Sequence, residues 1–389
     1  MPVDDMNDIE RRAKAGEADA QYALAAHHSH SQRPEEARRW LEKAATGGHP
    51  DALFTLSAAR LAGVGGLAAD LSAAIEGLVA AKEKGSAAAL RMLAALTAAG
   101  VAGEGGWDEA LSMMRGACAA GDPAALREIA ALAFNAGGCE ADATAMLATA
   151  AKGDALAGAL LQRRNHRNPA DAPTAASYDL ERVFDRLSAA PQDPQRKDIL
   201  ERPRVASFAS ALSVDLCDHL IGAALPRLQR QEIVDEAGVA HAHPHRTSTG
   251  AVLGFGHLDL PAVFAGRIMA RLADAPYENG ESVMVLRYRP GEEYRPHHDF
   301  LGPNEPDLKT RGQRFRTALL YLNDGYEGGE THFLAPDVKV AGKTGDIVVF
   351  DNVDEKGAPD VSARHAGRPV ARGEKWLATL WFRDRPCLR

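Results

Sequence analysis

Cysteine is scarce: the 389 residues hold four (Cys118, Cys139, Cys217 and Cys387), and no two stand in C-x-x-C spacing. That argues against a disulfide framework or a thiolate metal site and reads as reduced thiols in a cytoplasmic protein. No apolar run reaches the roughly 18 residues needed to span a bilayer, so no membrane partner is expected. The start, Met1-Pro2-Val3-Asp4-Asp5, has neither the basic nor the apolar region of a secretory signal. An excess of positive charge is also missing. Lys plus Arg number 45 against 53 Asp plus Glu, a net charge of −8 that speaks against a general nucleic-acid binder. What is present, 46% apolar and 25% charged residues, suits a soluble globular chain long enough for more than one domain.

The first 161 residues are rich in Ala, Leu and Gly and repeat themselves. Gly16, Gly48, Gly85, Gly121 and Gly153 recur at intervals of 32, 37, 36 and 32 residues. Four positions after each stands an alanine (Ala20, Ala52, Ala89, Ala125, Ala157), and eight after stands a large aliphatic (Leu24, Leu56, Leu93, Ile129, Leu161). Seven positions before four of them come Leu41, Leu78, Met114 and Met146. The +4/+8 spacing places these residues on one face of a helix that starts just after the glycine, while the glycine suits the end of the preceding helix. Each unit is then a helix-turn-helix that hides its apolar face by stacking on its neighbours. The segments Ala44-Ala45-Thr46-Gly47-Gly48-His49-Pro50-Asp51-Ala52 and Ala117-Cys118-Ala119-Ala120-Gly121-Asp122-Pro123-Ala124-Ala125 resemble Sel1-like repeats, relatives of the tetratricopeptide family. The resemblance implies an α-solenoid that scaffolds protein contacts and carries no chemistry, with Trp40 in core packing.

Residues 162–203 read as a linker, with a short helix expected over Ser177–Leu187. The cluster Arg163-Arg164-Asn165-His166-Arg167 is expected to be solvated rather than a phosphate site. From 204 to 389 the period changes. Short β-favouring runs over 283–288, 317–322, 346–350 and 376–382 are bounded by Gly, Pro, Asn and Asp, with helices expected over 215–228 and 260–273. Many short strands joined by long turns argue for a sandwich or jelly roll.

The chemical signal is Tyr294-Arg295-Pro296-His297-His298-Asp299. On an extended strand His297 and Asp299 point the same way and His298 points opposite. A histidine and a carboxylate supply two of the three ligands of a non-haem iron triad, and His365 is the candidate for the third. H-x-D alone is a common triplet. Ten residues after His365, however, Lys375 opens the last apolar strand, where a buried ammonium needs an anion such as the far carboxylate of a keto diacid; a strand-edge lysine in water is the alternative.

Together these motifs are specific. Tyr288-x-x-Gly291-x-x-Tyr294-x-x-His297-x-Asp299, Arg316-Thr317-Ala318-Leu319-Leu320-Tyr321-Leu322-Asn323, Gly328-Gly329-Glu330-Thr331-x-Phe333 and His365-x-Gly367-x-Pro369-Val370-x-x-Gly373-x-Lys375-Trp376 resemble the prolyl 4-hydroxylase branch of the iron(II)/2-oxoglutarate dioxygenases. The resemblance implies a double-stranded β-helix in which His297, Asp299 and His365 bind Fe(II) and Lys375 pairs with 2-oxoglutarate. It places Tyr288 and Tyr321 near that co-substrate, and Arg246 with Tyr294 near the substrate. By alternation, Leu377, Thr379 and Trp381 share the face of Lys375 and line the pocket. O2 is the second co-substrate and ascorbate the expected reductant. The implied reaction couples decarboxylation of 2-oxoglutarate to hydroxylation of a prolyl residue in a protein or peptide docked by the repeats. A free amino acid or small metabolite is the alternative substrate, and an inactive repeat-based scaffold the alternative class. The tract His241-Ala242-His243-Pro244-His245 reads as a surface segment rather than a metal site, and the loop 301–311 as a lid.

Overall fold

The computed structural model describes residues 6–103, 106–168, 177–189, 193–231, 233–234, 240–241, 246–305 and 307–387. The side chains of the His241–His245 tract, and Pro306 in the 301–311 loop, lie outside the described residues. No helix among the described residues is long and apolar enough to cross a membrane.

The chain forms two compact units. The first comprises Met1–Ala98, Ala102–Leu126 and Gly254–Asp259. Its helices run over Met6–Lys14, Ala18–His30, Pro34–Thr46, Pro50–Ala62, Leu71–Glu83, Ala87–Ala98 and Gly106–Ala119. Proline stands in the first turn of two of them, where its missing N–H costs nothing, and Asp70 caps another by accepting from the Ala73 amide at 3.0 Å. The repeat glycines do what their spacing requires. Gly16, Gly48, Gly85 and Gly121 adopt φ of +97°, +81°, +92° and +78°, while Gly153 does not enter the left-handed region. Ala20, Ala52 and Ala89 and the aliphatics Leu24, Leu56 and Leu93 are buried. Close approach is real: a Cβ on Gly77 would stand 2.2 Å from the Ser57 hydroxyl. Trp40 packs against the cluster of Ala13, Ala20 and Leu24.

The first unit does not run to residue 161, nor does the second begin at 204. It takes in Ala99–Val101, Arg127–Leu253 and Leu260–Arg389, and so includes the helices Glu140–Ala150 and Ala155–Arg167. The reason lies in the basic cluster, which is ion-paired rather than solvated. Arg164 and Arg167 donate to Asp215 at 2.7 and 2.8 Å, Arg163 donates to Asp218 at 3.2 Å, and Arg167 also bonds Asp218. The Arg164 guanidinium lies 3.9 Å from the ring centre of Phe134, and Glu128 accepts from the Leu260 amide at 3.1 Å, at the start of the helix Leu260–Leu272. Replacing Arg164, which is 5% exposed, by alanine should therefore destabilise this unit by about 3 kcal/mol, the low end for breaking a buried pair because Arg167 still reaches Asp215. The urea midpoint reads this out.

The remaining linker is also structured where it is described. The helix runs over Leu180–Leu187, and Arg196–Leu200 is a strand pairing antiparallel with Val205–Phe208. The helix expected over 215–228 ends at Ala224 and gives way to a 3-10 turn at Leu225–Arg227, where Pro226 removes an amide donor.

Two antiparallel sheets face each other. The eight-stranded sheet has the order Arg196–Leu200, Val205–Phe208, Ile347–Asp351, Arg314–Tyr321, Lys375–Arg383, Met284–Tyr288, Thr249–Val252, Gln229–Arg230. The four-stranded sheet has the order Val338–Val340, Thr331–Phe333, His365–Gly367, Tyr294–His297. The core is filled by Val205, Leu319, Tyr321, Phe333, Val340, Val348, Phe350 and Leu377. The architecture is thus a helical repeat array followed by a jelly roll, as the sequence predicts.

Candidate active site

Cross-strand register builds the site. His297 and His365 are direct partners in the small sheet, so two imidazoles far apart in sequence stand side by side. Asp299, two residues beyond His297, joins them. Its carboxylate oxygens lie 3.5 Å from His297 Nε2 and 3.8 Å from His365 Nε2. Ligand atoms of the three residues fall within 4.8 Å of one another, and they are the group of this kind found among the described residues.

Both histidines are oriented by the main chain. His297 Nδ1 donates to the Arg295 carbonyl at 2.8 Å, and His365 Nδ1 to the Ala363 carbonyl at 3.0 Å. That fixes the tautomer and leaves each Nε2 lone pair aimed at Asp299. Burial alone would push the Asp299 carboxyl up, but His365, His297 and the Thr317 hydroxyl hold it well below the usual carboxylate range. Burial first, and then His297, push the His365 imidazole down to about 4, so it is neutral and able to ligate.

Lys375 is 2% exposed, which settles the choice between buried and edge lysine. Its Nζ donates to the Gly329 carbonyl at 2.7 Å, and burial pushes its ammonium down to about 8, against the pull of Glu330. The glycine pair is needed for this contact. Gly328 and Gly329 sit at φ +74° and +70°, and a Cβ on Gly329 would stand 3.2 Å from the Lys375 stem. Leu377, Thr379 and Trp381 follow Lys375 on the same face, and all four line the cavity beside His297, Asp299 and His365.

The 2OG-Fe(II) oxygenase superfamily model matches residues 283–383. Prolyl 4-hydroxylase 1 of Arabidopsis thaliana is 37% identical over 198 residues, covering 47% of this chain and 70% of that protein. The chain belongs to the prolyl 4-hydroxylase family of 2OG-Fe(II) oxygenases. The crystal structure of the viral collagen prolyl hydroxylase of Paramecium bursaria Chlorella virus-1 with 2OG is also similar, at 26% identity over 46% of this chain and 94% of that one, TM-score 0.35. A Sel1 repeat protein from Oxalobacter formigenes is 28% identical over 32% of this chain and 95% of that one, TM-score 0.29.

The residues of this oxygenase fit the cofactors its family uses. Two imidazole nitrogens and one carboxylate on one side of a cavity are the donor set that Fe(II) takes while keeping positions open. Among the described residues, Lys375 has one hydrogen-bond acceptor, the Gly329 carbonyl, for an ammonium that carries three hydrogens. Two more buried polar atoms on residues lining the same cavity, Thr379 Oγ1 and Trp381 Nε1, have no hydrogen-bond partner among the described residues. Such unpaired groups match a polar guest such as the diacid 2-oxoglutarate. Iron, 2-oxoglutarate and O2 supply the oxidative decarboxylation and C–H hydroxylation; the protein binds, orients and excludes water.

The other expected residues divide. Tyr288 pairs in register with Lys375 and lines the cavity. Tyr321 does not reach the lining. Its hydroxyl donates to the Val340 carbonyl at 3.3 Å and bonds Thr331 Oγ1 at 3.0 Å, so only its ring approaches Lys375, 5.4 Å from Nζ. Tyr294 stacks on His297 at 3.5 Å between ring centres, and the Arg246 guanidinium lies 4.9 Å from the Tyr294 ring centre. His298 turns away and its Nε2 donates to the Val361 carbonyl at 3.2 Å. The loop 301–311 carries a short helix at Leu308–Arg311 and is pinned where Gln313 bonds both main-chain groups of Leu301.

Three features escaped the sequence. Thr331, which follows the Gly328-Gly329-Glu330 turn in sequence, lines the cavity. Arg314 lies 4.2 Å from the Trp381 ring centre and shares Glu281 with the buried Arg383, at 2.7 and 2.6 Å. Thr317 donates to Asp299 at 2.7 Å. Arg314 and Thr317 are three apart on one strand, and a register irregularity beside Arg314 breaks the alternation, so period two gives no signal for the pair.

Proposed function

We propose that this oxygenase hydroxylates a proline side chain within a peptide or protein, consuming 2-oxoglutarate and O2, with ascorbate as reductant and the repeats docking the substrate protein. The observation that carries this reading is the long match to a prolyl 4-hydroxylase together with an intact His297-Asp299-His365 cluster and a buried Lys375. Arg246 and Tyr294, which line the cavity beside His297, support a substrate with a compact apolar ring packed against an aromatic side chain. The four cysteines, no two in C-x-x-C spacing, support the reading of a reducing, cytoplasmic setting.

The test is turnover of purified protein with Fe(II), 2-oxoglutarate, ascorbate and a library of proline-containing peptides, followed by mass spectrometry. A gain of one oxygen localised to proline, with matching succinate, is the expected result. Oxidation confined to free amino acids would overturn the peptidyl assignment.

A further inference from the structure

Asp299 has two carboxylate oxygens, and the protein treats them differently. Oδ1 is the one nearer His297 Nε2, at 3.5 Å. Oδ2 accepts from the Thr317 hydroxyl at 2.7 Å. Thr317 is itself fully buried, on the strand Arg314–Tyr321, and its hydroxyl oxygen accepts from Asn352 Nδ2 at 2.8 Å. Asn352 is fully buried too and is held by its main chain. Its amide donates to the Phe315 carbonyl at 2.8 Å, and its carbonyl accepts from the Asp360 amide at 3.0 Å.

The direction of this chain is fixed chemically. An ionised carboxylate can only accept, so the single hydroxyl hydrogen of Thr317 goes to Asp299, and Thr317 must take its own hydrogen bond from a donor. The Asn352 amide nitrogen is that donor. A β-branched side chain on a paired strand has restricted χ1, which adds stiffness to the middle link. None of these residues follows from the His-x-Asp pattern, because Thr317 lies 18 and Asn352 lies 53 residues beyond Asp299 and both reach it through strand pairing, Thr317 standing opposite Phe350.

We propose that Thr317 and Asn352 are positioning residues that occupy Oδ2 of Asp299, lock its carboxylate in one orientation and reserve Oδ1 for the metal. The inference rests on the triad being the metal site. Neither residue touches substrate or co-substrate; they act only through Asp299.

The test is titration of the full-length, metal-free protein with Co(II), read by calorimetry and by the visible absorption of the bound ion. Wild type should bind and His297→Ala should not; failure here would sink the metal-site reading itself. Thr317→Val keeps the shape and removes the hydroxyl, and should weaken Co(II) binding roughly 10- to 100-fold with an altered spectrum. Thr317→Ser keeps the hydroxyl and should restore affinity to within about threefold of wild type. Asn352→Asp, nearly isosteric, supplies an acceptor in place of the donor, draws the Thr317 hydrogen away from Asp299, and should resemble Thr317→Val. Binding by both Thr317→Val and Asn352→Asp within about threefold of wild type, with an unchanged spectrum, overturns the proposal.

Discussion

Replacing His365 by alanine will abolish succinate formation, down to the level seen without protein, and will remove the absorption that develops when Fe(II) and 2-oxoglutarate are added without oxygen. His365 is 5% exposed and packed between Phe333 and Phe350, with ring centres 5.8 and 4.8 Å away. A substitute ligand therefore has no easy route to the vacated place. Removing it also leaves the buried Asp299 carboxylate with His297 and Thr317 as its remaining partners. Two protein ligands hold a divalent ion far more weakly than three. The melting temperature of the metal-free variant checks that the jelly roll survives. Turnover retained at more than a trace by a folded His365→Ala protein would remove His365 from the site.

The catalytic half was legible because its chemistry is local or periodic. His297 ends a strand and Asp299 follows two residues on, and Lys375, Leu377, Thr379 and Trp381 alternate on another strand, so short spacings along the chain pointed to six of the cavity residues. Facing of His297 and His365 is a matter of sheet register, which motif order implied and no local pattern could show. The run Thr317–Tyr321 is buried on both faces and reads as continuous apolar sequence. The polarity of Thr317 is hidden inside that run, and with it the support of Asp299. The burial of all nine residues of Lys375–Arg383 likewise separates a cavity lysine from a solvated one, which composition cannot do.

The join between the halves was misread for a different reason. Arg163, Arg164 and Arg167 look like a solvated charge cluster until their spacing is compared with Asp215 and Asp218. Arg164 with Arg167, and Asp215 with Asp218, are both three apart on helices, so each pair faces one way and the two pairs can meet. Complementary i,i+3 charges on separate helices were the available signal. Strand Arg196–Leu200 was missed because its first three residues, Arg196, Lys197 and Asp198, are exposed and charged, as befits the edge of a sheet.

Replacing Lys375 by methionine will raise the KM for 2-oxoglutarate far more than it lowers kcat at saturation. Methionine keeps the apolar stem and removes the charge. Losing one partner of a buried charged pair costs about 2–5 kcal/mol, roughly thirtyfold to several thousandfold in affinity. The same residue sets a pH dependence whose sign is fixed. In the free protein burial pushes Lys375 down to about 8, so the ammonium that should meet the diacid is lost as pH rises through that value. KM for 2-oxoglutarate should therefore climb above pH of about 8, while kcat at saturation stays level further up, because a bound carboxylate raises the lysine again. Stability runs the opposite way. An unfolded lysine holds its proton to about 10.4, so between the two values the unfolded chain binds more protons and the metal-free, ligand-free fold gains stability with rising pH. Adding the diacid with Co(II) should flatten that slope. Melting curves at several pH values, with and without both ligands, measure it alongside the KM profile. A KM that stays level from about pH 7 to about 9.5, or a Lys375→Met enzyme with the wild-type KM, would take the co-substrate's carboxylate away from Lys375.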